Sequence, residues 1–144
     1  MSTTTPASTH APGHAPGGCL CGAIRYRITA APRETSLCHC RSCRLATGAP
    51  VAAWVILSRD GLVFDRGTPV GFASSPGKRR TFCGQCGTSL TYERDDRPDS
   101  IDIHTATLDD PDAFPPSREI FLQEKIAWMA TNPQFAQYPR TSRG

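Results

Sequence analysis

Seven cysteines stand in three groups along this chain of 144 residues, at spacings that suit a soft metal ion bound through thiolates. The groups read "GCLCG", "CHCRSC" and "FCGQCGT", and each lies beside Gly or Ser. Alternate residues of an extended strand lie about 7 Å apart, which is too far for two bonds to one zinc ion. Because Gly22, Gly84 and Gly87 permit the backbone to curl, the spacing predicts metal sites at strand ends.

The first and third groups together supply the four thiolates of a closed tetrahedral zinc site, the usual arrangement of a structural zinc. The predicted ligands are Cys19, Cys21, Cys83 and Cys86. Such a site would join two distant parts of the chain, and its binding free energy would contribute to folding. We therefore predict that this zinc site is structural.

The middle group, Cys38, Cys40 and Cys43, has one ligand fewer. Catalytic zinc sites combine three protein ligands with one open position, so this group is a candidate catalytic site. Three alternatives stay open: a histidine could complete a second structural site, the C-x-x-C pair could be a metal-free redox site, or the group could bind an iron–sulfur cluster. His39 is expected to project away from a metal bound by its neighbours, and the sequence alone does not place His104.

The net charge of a zinc ion with three thiolates limits which fourth ligand such an open site would accept. Three thiolates around a dication leave about one net negative charge, so the ion polarises water weakly and hydrolysis is disfavoured. A soft thiol is the better fourth ligand, but its thiolate adds negative charge that needs nearby cations. Arg41, Arg44 and Arg80 stand beside the cysteine groups and are candidates for binding the carboxylates of such a thiol. The alternative is that these three arginines are solvated surface residues that bind no substrate.

The composition excludes several other classes of protein. The formal net charge is +3, without a long Lys/Arg block, so nucleic-acid binding is unsupported. The first residues lack the basic start and apolar run of a secretory signal, and no apolar segment approaches membrane-spanning length. We therefore expect a cytoplasmic protein without membrane contact. An odd number of cysteines without an export signal also argues against a disulfide framework.

The pattern of short alternating segments separated by turn residues predicts one mostly β, antiparallel domain. The predicted strands are 23–29, 51–57, 62–65, 69–74, 88–93 and 100–106, with an edge strand at 120–123 and a helical turn after Cys40. We expect a disordered low-complexity tail at 1–16, the single zinc domain at 17–135 and a C-terminal tail at 136–144.

The cysteine motifs and the residues around them resemble those of the glutathione-dependent formaldehyde-activating enzyme family, which also includes the centromere protein V type. The resemblance runs from about Gly17 to about Trp128 through "GGCLCG", "CHCRSCRLATG", "SSPGKRRTFCGQCGT" and "TLDDP". It implies a β-tent fold of antiparallel sheets with two zinc sites per chain. Its structural-zinc motif matches Cys19, Cys21, Cys83 and Cys86, and its catalytic-zinc motif matches Cys38, Cys40 and Cys43. The implied activity is carbon–sulfur lyase chemistry that joins glutathione and formaldehyde as S-hydroxymethylglutathione, and the reverse.

The chain departs from the family pattern near its C-terminus. Glu119 stands where the family commonly has His, and Ala127 where it commonly has Pro. A substrate contact made through that His is therefore in doubt here.

The function that we predict from the sequence is zinc-dependent condensation of glutathione, or a similar small thiol, with formaldehyde or another aldehyde to a hemithioacetal. The alternatives are a non-catalytic, zinc-stabilised binding module with a thiol-responsive three-cysteine site, and a redox sensor. The sequence leaves open the true thiol and aldehyde, and whether the chain forms a homo-oligomer.

Overall fold

The computed structural model describes residues 14–142, and these form eleven strands and one α-helix. The strands are β1 (Ala15–Gly18), β2 (Arg25–Ile28), β3 (Glu34–Cys38), β4 (Ala52–Ser58), β5 (Leu62–Arg66), β6 (Val70–Ser75), β7 (Lys78–Phe82), β8 (Ser89–Arg94), β9 (Ser100–His104), β10 (Arg118–Ile120) and β11 (Ala136–Gln137). Helix α1 spans Arg41–Thr47, and short 3-10 turns occupy Arg59–Gly61, Thr105–Thr107, Pro111–Ala113 and Leu122–Glu124. In this described part, no helix has the length and apolar character that crossing a membrane requires.

The strands form two sheets. The smaller has the order β1-β2-β5, and the larger has the order β11-β10-β3-β4-β9-β8-β7-β6. Neighbouring strands are antiparallel except at one edge, where β10 pairs in parallel with both β3 and β11. The predicted mostly β fold is therefore confirmed, with an added parallel edge that the alternation pattern did not indicate.

Strand β4 is apolar on both of its faces because it separates two clusters of buried side chains. Val55 and Leu57 point into the main core, which also contains Tyr26, Ile28, Leu90 and Ile103. Trp54 and Ile56 alternate with them and point to the opposite face, where they pack with Cys38 and Cys43. The continuous run "VAAWVIL" thus reflects burial on two sides, and it places one cysteine group on the face away from the main core.

The expected edge strand at 120–123 was wrong in position. The strand in this region is β10, which ends at Ile120 and lies between β3 and β11. Phe121 follows with a φ of 57°, a left-handed conformation that ends the extended backbone. A 3-10 turn at Leu122–Glu124 then leads the chain away from the sheet.

Ordered structure extends beyond the expected domain bounds of 17–135. Strand β1 begins at Ala15, whose side chain is buried, and it pairs with β2. At the other end β11 pairs with β10, and the Tyr138 and Arg140 backbone bonds to Glu119 and Phe121 at 2.9 Å each. Backbone pairing needs no apolar side chain, which explains why composition does not reveal these segments. The remainder of the expected N-terminal tail, 1–13, lies outside the described residues.

Truncation of Leu57 tests the assignment of the main core. Leu57 has no solvent exposure, whereas the Leu45 side chain on α1 is 63% exposed. We expect Leu57→Ala to lower the free energy of unfolding by about 2–5 kcal/mol, because it leaves a cavity in a packed cluster. The matched Leu45→Ala change should alter it by no more than about 0.5 kcal/mol. Urea denaturation of metal-loaded protein measures both, and equal effects would contradict this core.

Candidate metal centres and the adjoining cavity

The first candidate metal centre is formed by Cys19 and Cys21, which follow β1, and by Cys83 and Cys86, which follow β7. The four sulfur atoms all lie within 4.8 Å of one another. The Cys19 and Cys21 sulfurs are 3.6 Å apart, and those of Cys21 and Cys83 are 3.8 Å apart. Four sulfurs bound tetrahedrally to one zinc ion would be separated by about 3.8 Å. The donor set and its spacing therefore fit a zinc ion, and we name these residues the four-cysteine group.

Local backbone geometry brings these sulfurs together, with a left-handed turn at two of the three predicted glycines and not at Gly84. Gly22 and Gly87 have φ angles of 80° and 83°, so the chain turns sharply after each cysteine pair. The Ile24 amide donates to the Cys19 sulfur at 3.2 Å, and the Gln85 and Cys86 amides donate to Cys83 at 3.4 Å each. Such donors favour thiolate over thiol. The Thr88 hydroxyl and backbone amides lower the pKa of Cys86 to about 5.

The second candidate metal centre is formed by Cys38, Cys40 and Cys43, the three-cysteine group. Cys38 ends β3, Cys40 is the N-cap residue of α1, and Cys43 lies in the first turn of that helix. Their sulfurs lie within 4.8 Å of one another, and the Cys43 amide donates to the Cys40 sulfur at 3.3 Å. The turn from strand to helix thus brings together three thiolates that lie within six residues of sequence. Within the described residues no fourth side chain joins this group.

Neither of the histidines weighed as a fourth ligand reaches the three-cysteine group. His39 points away from it, as the sequence predicts, and bonds through Nε2 to Glu119 at 2.8 Å. His104 is buried behind Trp54, with its ring stacked on the indole at 3.8 Å between centroids and its Nε2 3.0 Å from the Ser89 hydroxyl. Burial lowers the pKa of His104 to about 4. A closed site of three cysteines and one of these histidines is therefore not formed.

Arg80 is the predicted arginine that the fold brings against the three-cysteine group. It is only 4% exposed, its Nη2 lies 3.7 Å from the Cys43 sulfur, and its guanidinium stands 4.7 Å above the centre of the Tyr92 ring. Its Nη1 has no hydrogen-bond partner in the described structure. The neighbouring thiols Cys38 and Cys40, and then the positive charge of Arg80, lower the pKa of Cys43 to about 2. Arg80 therefore compensates the negative charge of this group.

Arg41 and Arg44 lie on α1 and occupy different surroundings. The Arg41 backbone amide donates to Glu124 at 3.1 Å, while its exposed side chain lines a cavity of about 370 Å³ together with Leu45 and Phe72. Arg44 is half-buried and its Nε has no hydrogen-bond partner in the described part of the chain. Arg44 is not among the residues that line the cavity at the three-cysteine group.

The three-cysteine group opens into a cavity of about 140 Å³. Trp54, Ile56, Tyr92, Ile120 and Phe121 give this cavity an apolar side. Its charged lining consists of Lys78, Arg80, Arg94, Arg97, Glu34 and Asp102. The larger cavity beside α1 shares Lys78, Arg80 and Tyr92 with it, so the two adjoin at the Arg80 side chain. The arrangement can hold a small molecule that combines a soft donor, an apolar stem and negative charge.

Arg94, Arg97 and Asp102 also line the cavity, and the sequence pattern did not indicate them as residues of the site. Lys78 and Arg80 are alternate residues of β7, and they pair with Arg94 and Tyr92 of β8. Alternation would have placed Lys78 beside Arg80 if "KRRTF" had been taken as a strand. No local signal in the sequence indicates that this strand and β9 face the same cysteines.

A buried hydrogen-bonded pair of side chains supports the loop of the three-cysteine group from behind. His39 and Glu119 are both almost fully buried, and the second carboxylate oxygen of Glu119 accepts a hydrogen bond from the Asn132 amide at 2.9 Å. The His39 amide also donates to the Ile120 carbonyl at 3.0 Å. The carboxylate at position 119 therefore joins β10 and the segment at Asn132 to the loop between Cys38 and Cys40.

Cysteine substitutions should separate the two metal centres. We expect the zinc-reconstituted chain to bind two ions, and Cys40→Ser to bind one while still unfolding cooperatively. Cys19→Ser should also lose one ion, but with a markedly lower Tm, because the four-cysteine group links segments 62 residues apart. Elemental analysis and thermal denaturation with and without a strong chelator measure these outcomes. Two bound ions in both variants would contradict the assignment.

Removal of the Glu119 carboxyl group should be far more costly than removal of one that is partly open to solvent. We expect Glu119→Ala to destabilise the fold by about 2–5 kcal/mol, because it leaves the buried His39 ring and the partly buried Asn132 amide without their hydrogen-bond partner. The control is Glu93→Ala, which breaks the outer pair with Arg59 at 3.2 Å and should cost no more than about 1 kcal/mol. Denaturant unfolding measures both, and a similar small cost would show that the His39–Glu119 pair contributes little.

Two proteins of known sequence are similar to this chain. A provisionally named glutathione-dependent formaldehyde-activating enzyme of Halomonas elongata is 28% identical over 141 residues, which cover 88% of this chain and 89% of that protein. A Schizosaccharomyces pombe protein named as an uncharacterized lyase is 34% identical over 77 residues, so the match spans 53% of this chain and only 55% of the yeast protein.

A solved crystal structure shows the same fold. It is that of a Rhodobacter sphaeroides protein, with a TM-score of 0.53 and 19% identity over 85% of this chain and 98% of that one. The model of the glutathione-dependent formaldehyde-activating enzyme family matches residues 14–124, which include all seven cysteines. The chain belongs to the glutathione-dependent formaldehyde-activating enzyme family.

Proposed function

We propose that this chain is a zinc-dependent carbon–sulfur lyase that condenses glutathione, or a similar small thiol, with formaldehyde or another aldehyde to a hemithioacetal. The observation that carries the proposal is the three-cysteine group, whose sulfurs have no fourth ligand among residues 14–142 and open into a cavity with cationic and aromatic walls. Family membership supports the reaction class. The two sheets would correspond to the β-tent of the family, and the reaction would take place in the cytoplasm.

The two cysteine groups would divide the roles of the metal. The four-cysteine group would hold a structural zinc ion, and Cys38, Cys40 and Cys43 would hold the second, with one position left open for substrate. When bound there, zinc would supply a Lewis acid that lowers the pKa of a substrate thiol and fixes its sulfur. The fit rests on the soft donors and on their spacing.

The chain's own residues would bind and orient the thiol. Arg80 offers an unpartnered Nη1 beside the three-cysteine group, and Lys78 and Arg97 line the same cavity without an ion pair in the described residues. These cations would bind the carboxylates of glutathione. Arg94 also lines the cavity, but its charge is already paired with Asp96 at 2.6 Å.

The apolar side of the cavity would hold the aliphatic part of the thiol. Trp54 and Ile56 project from β4 toward the cavity, and Phe121 and Ile120 bound it from the far side. These side chains exclude water from the sulfur and the aldehyde carbon, which strengthens the attraction of Arg80 for anionic groups. The adjoining cavity beside α1 gives room for the part of a tripeptide thiol that extends past Arg80.

Substitution of Arg80 and Cys40 tests this proposal. We expect the zinc-loaded chain to accelerate exchange between glutathione–formaldehyde adduct and free reactants, measured by exchange NMR above the uncatalysed rate. Cys40→Ser should return the rate to that background. Arg80→Gln should raise KM for glutathione about tenfold or more, because a charge-assisted hydrogen bond is lost. The control Arg79→Gln changes an exposed residue that lines neither cavity at the three-cysteine group, so its kinetics should remain those of the parent.

A parent protein that matches the uncatalysed rate, with Cys40→Ser behaving identically, would refute the lyase proposal. Thiol-dependent spectral change of a cobalt-substituted site without product would then favour a thiol-responsive binding module.

A further inference from the structure

Asp102 is a carboxylic residue inside the cavity of the three-cysteine group. It lies in the middle of β9, paired with Ile56 of β4 on one side and Tyr92 of β8 on the other. Paired residues of antiparallel strands share a face, and Ile56 and Tyr92 both line the cavity together with Asp102. The carboxyl group thus stands on the same wall as the apolar and aromatic side chains that would surround the substrate.

The carboxylate of Asp102 has no hydrogen-bond or ion-pair partner among residues 14–142. This separates it from Glu34, the other carboxylate of the cavity, which binds Arg118 at 2.6 Å and accepts a hydrogen bond from Ser142 at 2.9 Å. Asp102 is half-buried, and a carboxyl group without a partner in a cavity of this kind is available to interact with a bound molecule.

Several charged and titratable groups act on Asp102 across the cavity. Burial is the largest influence, and it raises the pKa of Asp102 to about 7. Cys43 and Glu34 raise it further by their negative charge, while Arg97 and Arg94 oppose this. The remaining groups of this kind in the cavity lining are Lys78, Arg80, Tyr92, Cys38 and Cys40. Near neutral pH the carboxyl group can therefore both accept and release a proton, as a general acid–base residue must.

Formation of a hemithioacetal requires that one proton move from sulfur to oxygen. We propose that Asp102 transfers this proton, and this inference rests on the function proposed above. The Asp102 carboxylate takes the proton of the S–H group, the sulfur lone pair forms the C–S bond, and the π electrons of the aldehyde C=O move onto oxygen. The protonated carboxyl group then donates its proton to that oxygen. Asp102 returns to its carboxylate form, and the lyase direction runs through the same steps reversed.

Other titratable groups near the cavity are less suited to this transfer. Burial raises the pKa of Tyr92 to about 12, so the phenol holds its proton at neutral pH. Glu34 is bound by Arg118 and Ser142. His104 lies behind Trp54 and lines a separate cavity with Ser89. Asp102 is left as the carboxyl group that faces the substrate space.

The experiment compares the zinc-loaded parent with Asp102→Asn and with Asp65→Asn. Asp65 is an exposed carboxylate that is paired with Arg27 and is not among the residues that line the cavity. Since both directions start from the Asp102 carboxylate, kcat/KM of the parent should fall as the pH drops through about 7. Asp102→Asn should lose this ionisation and about 100-fold in rate, or fall to the uncatalysed rate, with zinc content and glutathione binding retained. Asp65→Asn should keep the parent's profile.

Titration of the carboxyl carbons by NMR gives a readout that needs no turnover. In aspartate-labelled, zinc-loaded parent, the Asp102 signal should titrate near pH 7, and Asp102→Glu, which keeps a carboxyl group, identifies that signal by its absence. If the Asp102 signal instead titrates near pH 4, the inference is overturned. This measurement uses the parent protein, so it remains decisive even if Asp102→Asn does not fold. Turnover in the parent with an unchanged rate and pH profile in Asp102→Asn would overturn the inference alone, whereas no turnover in the parent would overturn the proposed function with it.

Discussion

Thiolates repel one another, and a protein can gather several of them only where cations compensate their charge. This constraint shapes both cysteine groups. In the four-cysteine group, backbone amides of the turns after β1 and β7 point at sulfur, and a metal ion bound there would compensate the remaining charge. In the three-cysteine group a buried arginine, Arg80, adds a fixed positive charge at 3.7 Å from Cys43. The rest of the site is built around that arginine, which rests on Tyr92 and lies between two cavities.

The larger sheet places the two cysteine groups in different surroundings. Cys19 and Cys83 belong to the main core, so a metal bound there would be part of the packing between the sheets. Cys38 and Cys43 pack on the other face of β4 with Trp54 and Ile56, beside open space. Because consecutive residues of a strand point to opposite faces, a single strand supports the core with Val55 and the cavity with Trp54.

Position 119 shows how a departure from the family pattern is accommodated. The carboxylate of Glu119 is buried, where an unpaired charge would be strongly unfavourable. His39 satisfies one oxygen and the Asn132 amide the other, so the pair is fully hydrogen-bonded on the carboxylate side. The pair does not face the cavity lining, in contrast to Asp102. Glu119 thus supports the loop that carries Cys38 and Cys40, and the half-buried carboxyl group of Asp102, on β9, lines the cavity instead.

Much of this fold was predictable from local pattern. The strands at β2, β4, β5, β6, β8 and β9 overlap the predicted segments, and the helical turn after Cys40 is α1. Strands β3 and β7 were missed because "ETSLC" and "KRRTF" carry polar side chains where a half-buried strand usually carries apolar ones. Arg80 and Thr81 are nevertheless buried, since the cavity and the thiolates supply them with polar surroundings.

The sequence by itself determined the three local groups of cysteines, because the turn within each group brings together ligands two or three residues apart. The meeting of the first and third groups, 62 residues apart, was predicted from the number of ligands, and the tertiary structure brings it about. It also determined that Arg80 lies next to a cysteine group, since its strand leads into Cys83. Only the tertiary structure decided that Arg80 meets Cys43 instead, and that Lys78, Arg97 and Asp102 face the same cavity. Those contacts depend on the register of β7, β8 and β9 beside β4. Strand register follows from the packing of the whole sheet, and no short stretch of sequence contains it.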